Sequence, residues 1–109
     1  MAVTPVQLFP GTLLANTATT LYSGPATTGT TKILQLTVCN TDTLVHTFSL
    51  WIGSNATATL VIKARALAPG ETQSVPEAVN LFVGSGVVLQ MDADTAAVVS
   101  AQGTGVLLT

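Results

Sequence analysis

The sequence predicts an all-β protein, an antiparallel β-sandwich of jelly-roll-like form with about eight strands. Turn chemistry recurs about every eight to twelve residues, in FPGT, SGPATTGT, NTDT, GSNAT, APGE, GSG, DADT and QGTG. Between these turns lie short runs rich in Val, Ile, Leu and Thr, whose β-branched members suit a pleated surface. Nowhere do apolar residues recur at helical spacing over three turns.

Strands are expected at 6–14, 19–23, 31–40, 46–52, 59–67, 72–75, 79–83, 87–91 and 96–102, with 106–108 as a terminal pairing. Pro10 and Pro76 cannot donate to a ladder, which places them at edges or bulges. Residues 31–40 and 46–52 read as a hairpin across a five-residue loop. With Asn40 opposite His46, Leu34, Leu36 and Val38 oppose Ile52, Leu50 and Phe48 on one apolar face. The other face carries Gln35, Thr37 and Cys39 opposite Trp51, Ser49 and Thr47. A one-residue slip would mix both faces, and burial rejects it. In 59–67, alternation puts Lys63 and Arg65 on one face, away from Leu60, Ile62 and Ala64. APGE then closes a tight turn, Pro69 presetting φ at its second position and Gly70 supplying a positive φ at its third.

The 109 residues read as one domain, with 1–10 as an extended arm that either adds a strand to a neighbour or forms an edge of its own sandwich. A core of this size suffices without metal or disulfides, and the lone Cys39 offers no internal disulfide. Charged residues make up only 7% of the chain, against about 25% in an ordinary soluble domain, and the mean hydropathy is +0.59. Threonine wets much of the surface, yet apolar area is left over for contacts. An assembling protein is therefore expected. The net charge is −2, with Lys32, Lys63 and Arg65 as the only Lys or Arg residues, too few to neutralise a run of phosphates; nucleic acid is not an expected partner. No apolar run approaches the length of a membrane span, and no leader pattern opens the chain. Neither a membrane nor a cofactor is expected, and synthesis in the cytosol is.

The residues that carry chemistry elsewhere read here as structural. Cys39 has neither a helix N-terminus nor a cation beside it to lower its pKa, and the preferred register points it away from His46, so no Cys–His dyad is expected. His46 lacks further ligands at metal spacing and is placed at the loop edge of the core. Asp92 and Asp94 fall on one side of an extended segment, as turn residues or, with distant acids, an ion site. Gly84 to Gly86 lack the Lys-Ser/Thr of a phosphate loop. Lys63 and Arg65 form a polar stripe able to meet an acidic partner. Trp51, on the mixed face, is expected at an interface or under a loop or second sheet, with sugar stacking as a further use. Asn55 opens an Asn-Ala-Thr triplet, a short and common match to a glycosylation acceptor.

The order of pieces, TTLYSGPATTGTTKILQLTVCNTDT, TFSLWIG, ARALAPGETQSVPEAVNLFVGSGVVLQM and AAVVSAQG, resembles small all-β structural proteins of tailed bacteriophages, the capsid decoration and tail-associated proteins. Leu21, Tyr22, Pro25, Ile33, Leu36, Val38 and Asn40 match the opening strand pair of that pattern, and Pro69, Gly70, Glu71 and Thr72 its turn. Ser85 and Gly86 depart from it where an acidic residue commonly follows the glycine. The resemblance covers most of the chain and implies a virion protein that assembles as a homotrimer, with no catalytic site to carry over. The expected place is the outside of a capsid, where a trimer would contact the major capsid protein. A tail or tail-tip component, touching glycans through Trp51 and Tyr22, and a small carbohydrate-binding module are the alternatives. The interface is expected at Val3, Val6, Leu8, Phe9, Trp51, Lys63 and Arg65.

Overall fold

A computed structural model describes residues 2–109. Its strands are β1 (Val3–Leu13), β2 (Thr19–Ser23), β3 (Thr30–Asn40), β4 (His46–Ile52), β5 (Leu60–Leu67), β6 (Thr72–Ser74), β7 (Phe82–Gly84), β8 (Val88–Ala93) and β9 (Val99–Leu108). Two antiparallel sheets result. One runs β1-β9-β3-β6, with β7 also on β3, and the other runs β2-β8-β4-β5. β6 pairs with Thr37 to Cys39 and β7 with Thr30 to Lys32, so the two are segments of one edge, interrupted by a 3-10 turn at Pro76–Ala78. Counted as one strand, they complete a nested pairing of first with last, second with next to last, third with sixth and fourth with fifth. That is the connectivity of a jelly roll.

Period-2 alternation builds each sheet. In β8, Leu89, Met91 and Ala93 are buried while Val88, Gln90 and Asp92 are not. The inward residues of both sheets, among them Leu36, Val38, Phe48, Leu50, Leu67 and Val99, form one core; each is worth roughly 1.5–3 kcal/mol of burial for a Val, Leu or Phe side chain. The APGE turn forms as expected. Gly70 has φ 73°, the Glu71 N–H donates to the Ala68 carbonyl at 3.0 Å, and the Glu71 carboxylate accepts from the Ala68 N–H at 2.7 Å.

The expected hairpin of residues 31–40 and 46–52 is corrected. β3 belongs to one sheet and β4 to the other, so residues 41–45 turn a corner of the sandwich. Leu36 and Val38 still meet the same core as Phe48 and Leu50, but across the gap between sheets. Apolar alternation cannot distinguish those two ways of facing. Asn40 fixes the corner: its buried amide donates to the carbonyls of Leu44 and Leu67 at 2.8 and 3.1 Å and accepts the Asp42 N–H at 3.0 Å.

QGTG is a second correction, since it lies inside β9. A Cβ on Gly105 would sit 2.4 Å from the Lys32 carbonyl oxygen, so glycine here answers a close backbone approach, not a turn. Beside it both neighbours are bulged, β1 between Gln7 and Phe9 and β3 between Ile33 and Gln35.

Candidate functional site

The outer face of the β1-β9-β3 sheet is divided along its length. Across one end, Pro5, Val106, Lys32 and Phe82 lie in one paired row and Val3, Leu108, Thr30 and Gly84 in the next. The bulge at Leu34 brings a further apolar side chain to this end. Val3 is 62% exposed, Phe82 54% and Leu34 45%. Two shallow depressions lie among them, one bordered by Pro5, Leu34 and Val106 and one by Phe82, Gly84 and Leu108. The middle of this face is polar, with Gln7, Gln35, Thr37, Gln102 and Thr104 around another hollow, and at the far end Leu13, 55% exposed, lies opposite Ser100. Cys39 borders a neighbouring hollow beside Thr72 and Ser100, in a different sheet from His46.

The expected interface residues divide between surface and core. Val3 is exposed and Val6 half-buried against the core. Leu8 and Phe9 are both buried, although adjacent, because the bulge between Gln7 and Phe9 lets both turn inward. The segment 1–10 is, over its described part, laid along β9 as the sheet's edge strand.

Lys63 and Arg65 do not share a face. β5 is bulged opposite Ser49, where Ala64 has φ 48° and its N–H donates to Ser49 Oγ at 2.9 Å. The bulge reverses the phase. Arg65 pairs with inward-facing Phe48 and donates to Glu77 through both guanidinium NH groups, which raises the Arg65 pKa and lowers that of Glu77. The expected acidic partner of Arg65 is thus in the same chain. Lys63 stays on the outer face.

Trp51 lies on that outer face of the second sheet, between Gln90 and Leu60, not beside Thr37 and Gln35. It is 9% exposed. Ser49, Asn55, Leu60, Lys63 and Asp92 surround it in a depression of about 350 Å³. Gln90 sets the wall, accepting the Asn55 N–H at 2.9 Å and donating to Thr20 Oγ1 at 3.0 Å. Tyr22, expected to accompany Trp51 toward glycans, instead turns inward, its hydroxyl 2.7 Å from that of buried Thr31.

Asp92 and Asp94 part company. Asp92 borders the Trp51 depression, and burial raises its pKa. Asp94 accepts from His46 Nδ1 at 2.9 Å, while Asp42 accepts from His46 Nε2 at 2.8 Å. The hydrogen bond to Asp42 leads in raising the His46 pKa, with burial opposing it and Asp94 adding to it. The same bond leads in lowering the pKa of Asp42. Asp42, four residues before His46, was the visible half of this cluster; Asp94 comes from the β8–β9 turn, which only the folded topology brings near. Both ring nitrogens are engaged, and among the described residues no three His, Cys, Asp or Glu side chains are placed to hold a metal ion. No described helix is long and apolar enough to cross a membrane.

Comparison with protein-family models, curated proteins and solved structures returns no match to this chain.

Proposed function

We propose that this chain is a non-enzymatic structural subunit of a bacteriophage virion, a decoration protein that assembles as a homotrimer on the outside of the capsid and stabilises its lattice. The observation that carries the reading is the apolar end of the β1-β9-β3 sheet, where Val3, Leu34 and Phe82 stand exposed together. A patch of this kind is a contact surface. The charge content of 7% fits a protein whose exterior is largely covered in its working state. Jelly rolls recur in viral capsid proteins, a likeness of fold that supports the reading without deciding function.

Lys32 favours a cyclic trimer over a two-fold dimer. It lies within the patch, in the row between Val106 and Phe82. A two-fold contact would set the patch against itself and bring two ammonium groups together; a head-to-tail ring sets it against a different surface. Three copies on one support would then add weak capsid contacts through multivalency.

Light scattering over a range of concentrations tests the assembly. The wild type is expected to be a trimer at low micromolar concentration, and Phe82→Glu a folded monomer whose melting temperature no longer depends on protein concentration. A wild-type monomer at roughly 100 µM, where even a Kd weaker than 10 µM shows, would overturn self-assembly. Co-sedimentation with phage heads tests the virion reading; a trimer that leaves heads in the pellet and itself in the supernatant counts against it.

A further inference from the structure

We propose that the outer face of the β2-β8-β4-β5 sheet carries a binding site for one neutral sugar unit, seated beside Trp51 between Asp92 and Lys63. The site lies on the sheet opposite the apolar patch and stands independently of the assembly reading.

The depression combines an apolar floor with rim groups of opposite hydrogen-bonding sense. Leu60 and the small exposed part of Trp51, 9% of its surface, supply a limited patch of carbon for the C–H groups at one edge of a pyranose ring. On the rim, Asp92 can only accept and Lys63 can only donate. Neither makes a side-chain hydrogen bond or ion pair with another described residue, and the two are not within 4.0 Å of each other. A hydroxyl donates and accepts at once, so a vicinal pair of hydroxyls satisfies both groups where the chain leaves them unmatched. A cation would gain Asp92 but meet Lys63, and an anion would gain Lys63 but meet Asp92, so a net charge on the ligand brings little advantage. The volume of about 350 Å³ lies at the small end of ligand sites and suits one ring, with the rest of a glycan leaving through the open side.

The surrounding backbone is built to hold this arrangement. Ala64 adopts φ 48°, a left-handed conformation unfavourable for a residue with a Cβ, and the resulting bulge turns Arg65 inward while Lys63, next to buried Ile62, stays outside, with Ser49 anchoring the turn. Gln90 holds the loop that carries Asn55 at the opposite wall. Burial of the Asp92 carboxylate without a partner opposes its charged form, and hydroxyl donors from a sugar would supply what solvent gives incompletely.

Trp51 is the sole tryptophan, so a single indole N–H resonance reports the site. The protein would be titrated with the methyl glycosides of glucose, galactose, mannose and N-acetylglucosamine. At least one is expected to shift that resonance saturably with a millimolar Kd. Asp92→Ala is expected to weaken binding at least tenfold, while Gln35→Ala, on the other sheet, leaves it unchanged. Asp92→Asn, nearly isosteric, gives the same loss if Asp92→Ala fails to fold. Absence of saturation by all four glycosides up to about 100 mM, a limit far weaker than any millimolar site, would overturn the proposal. So would a saturable shift of equal affinity in the Asp92 variants.

Discussion

His46 sits between Asp42 Oδ2 and Asp94 Oδ1, and a neutral imidazole has only one N–H to give. Only the imidazolium donates to both carboxylates. Its pKa is raised in the fold, so its contribution to stability is full below the unfolded value of about 6.5 and is lost as pH climbs through the raised folded value. The Asp42 pKa is lowered, so its contribution is present above the unfolded value of about 3.9 and is lost as pH falls through the lowered one. The two together favour mildly acidic conditions. Melting temperatures from pH 5 to 9 are expected to show the wild-type advantage over His46→Gln shrinking as pH rises; an advantage constant with pH would refute the charged pair. Much of this was hidden in the sequence. Alternation marked His46 as an edge-of-core residue, but Asp94 is 48 positions away, and nothing local says that its turn meets the β3–β4 corner. The separation of Cys39 from His46 does hold, although the two sheets, not the register of a hairpin, keep them apart.

Bulges explain where strand patterns misled. β5 alternates cleanly in sequence, yet Ala64 inverts its phase, and alanine carries none of the left-handed signal that glycine would. Ala64→Gly is expected to raise stability by about 0.5–1 kcal/mol, relief of a left-handed alanine less the extra freedom of glycine in the unfolded chain. Thermal unfolding measures it. The converse case is Gly105, read as turn chemistry but held in a strand by the nearness of the Lys32 carbonyl. Gly105→Ala is expected to cost roughly 1–3 kcal/mol through overpacking, and an unchanged melting temperature would show that β9 can shift away from β3. The strands themselves were legible, since β2, β4 and β5 lie where runs of Thr, Val, Ile and Leu end at turn residues.

For the molecule as a whole, alternation told inside from outside but not which sheet a strand joins. Leu36 and Leu50 show why: each needs only an apolar neighbour, and a partner across the sandwich serves as well as one across a ladder. The Thr, Gln and apolar residues of the outer faces were equally silent about their grouping, because the apolar end is gathered from β1, β3, β7 and β9. The nested order also governs how the chain must acquire its structure. Among the described residues β4–β5 is the one pairing between consecutive strands, and each further pair encloses the last at a growing loop-closure cost. A nucleus at β4–β5 that zips outward is the expected route, slow for a chain of this length. On the ribosome, β1 reaches the tunnel exit long before β9 exists. At ordinary elongation rates Leu8 and Phe9 wait roughly five to twenty seconds for their strand partner, an interval in which a chaperone, or another nascent copy, has first access to them.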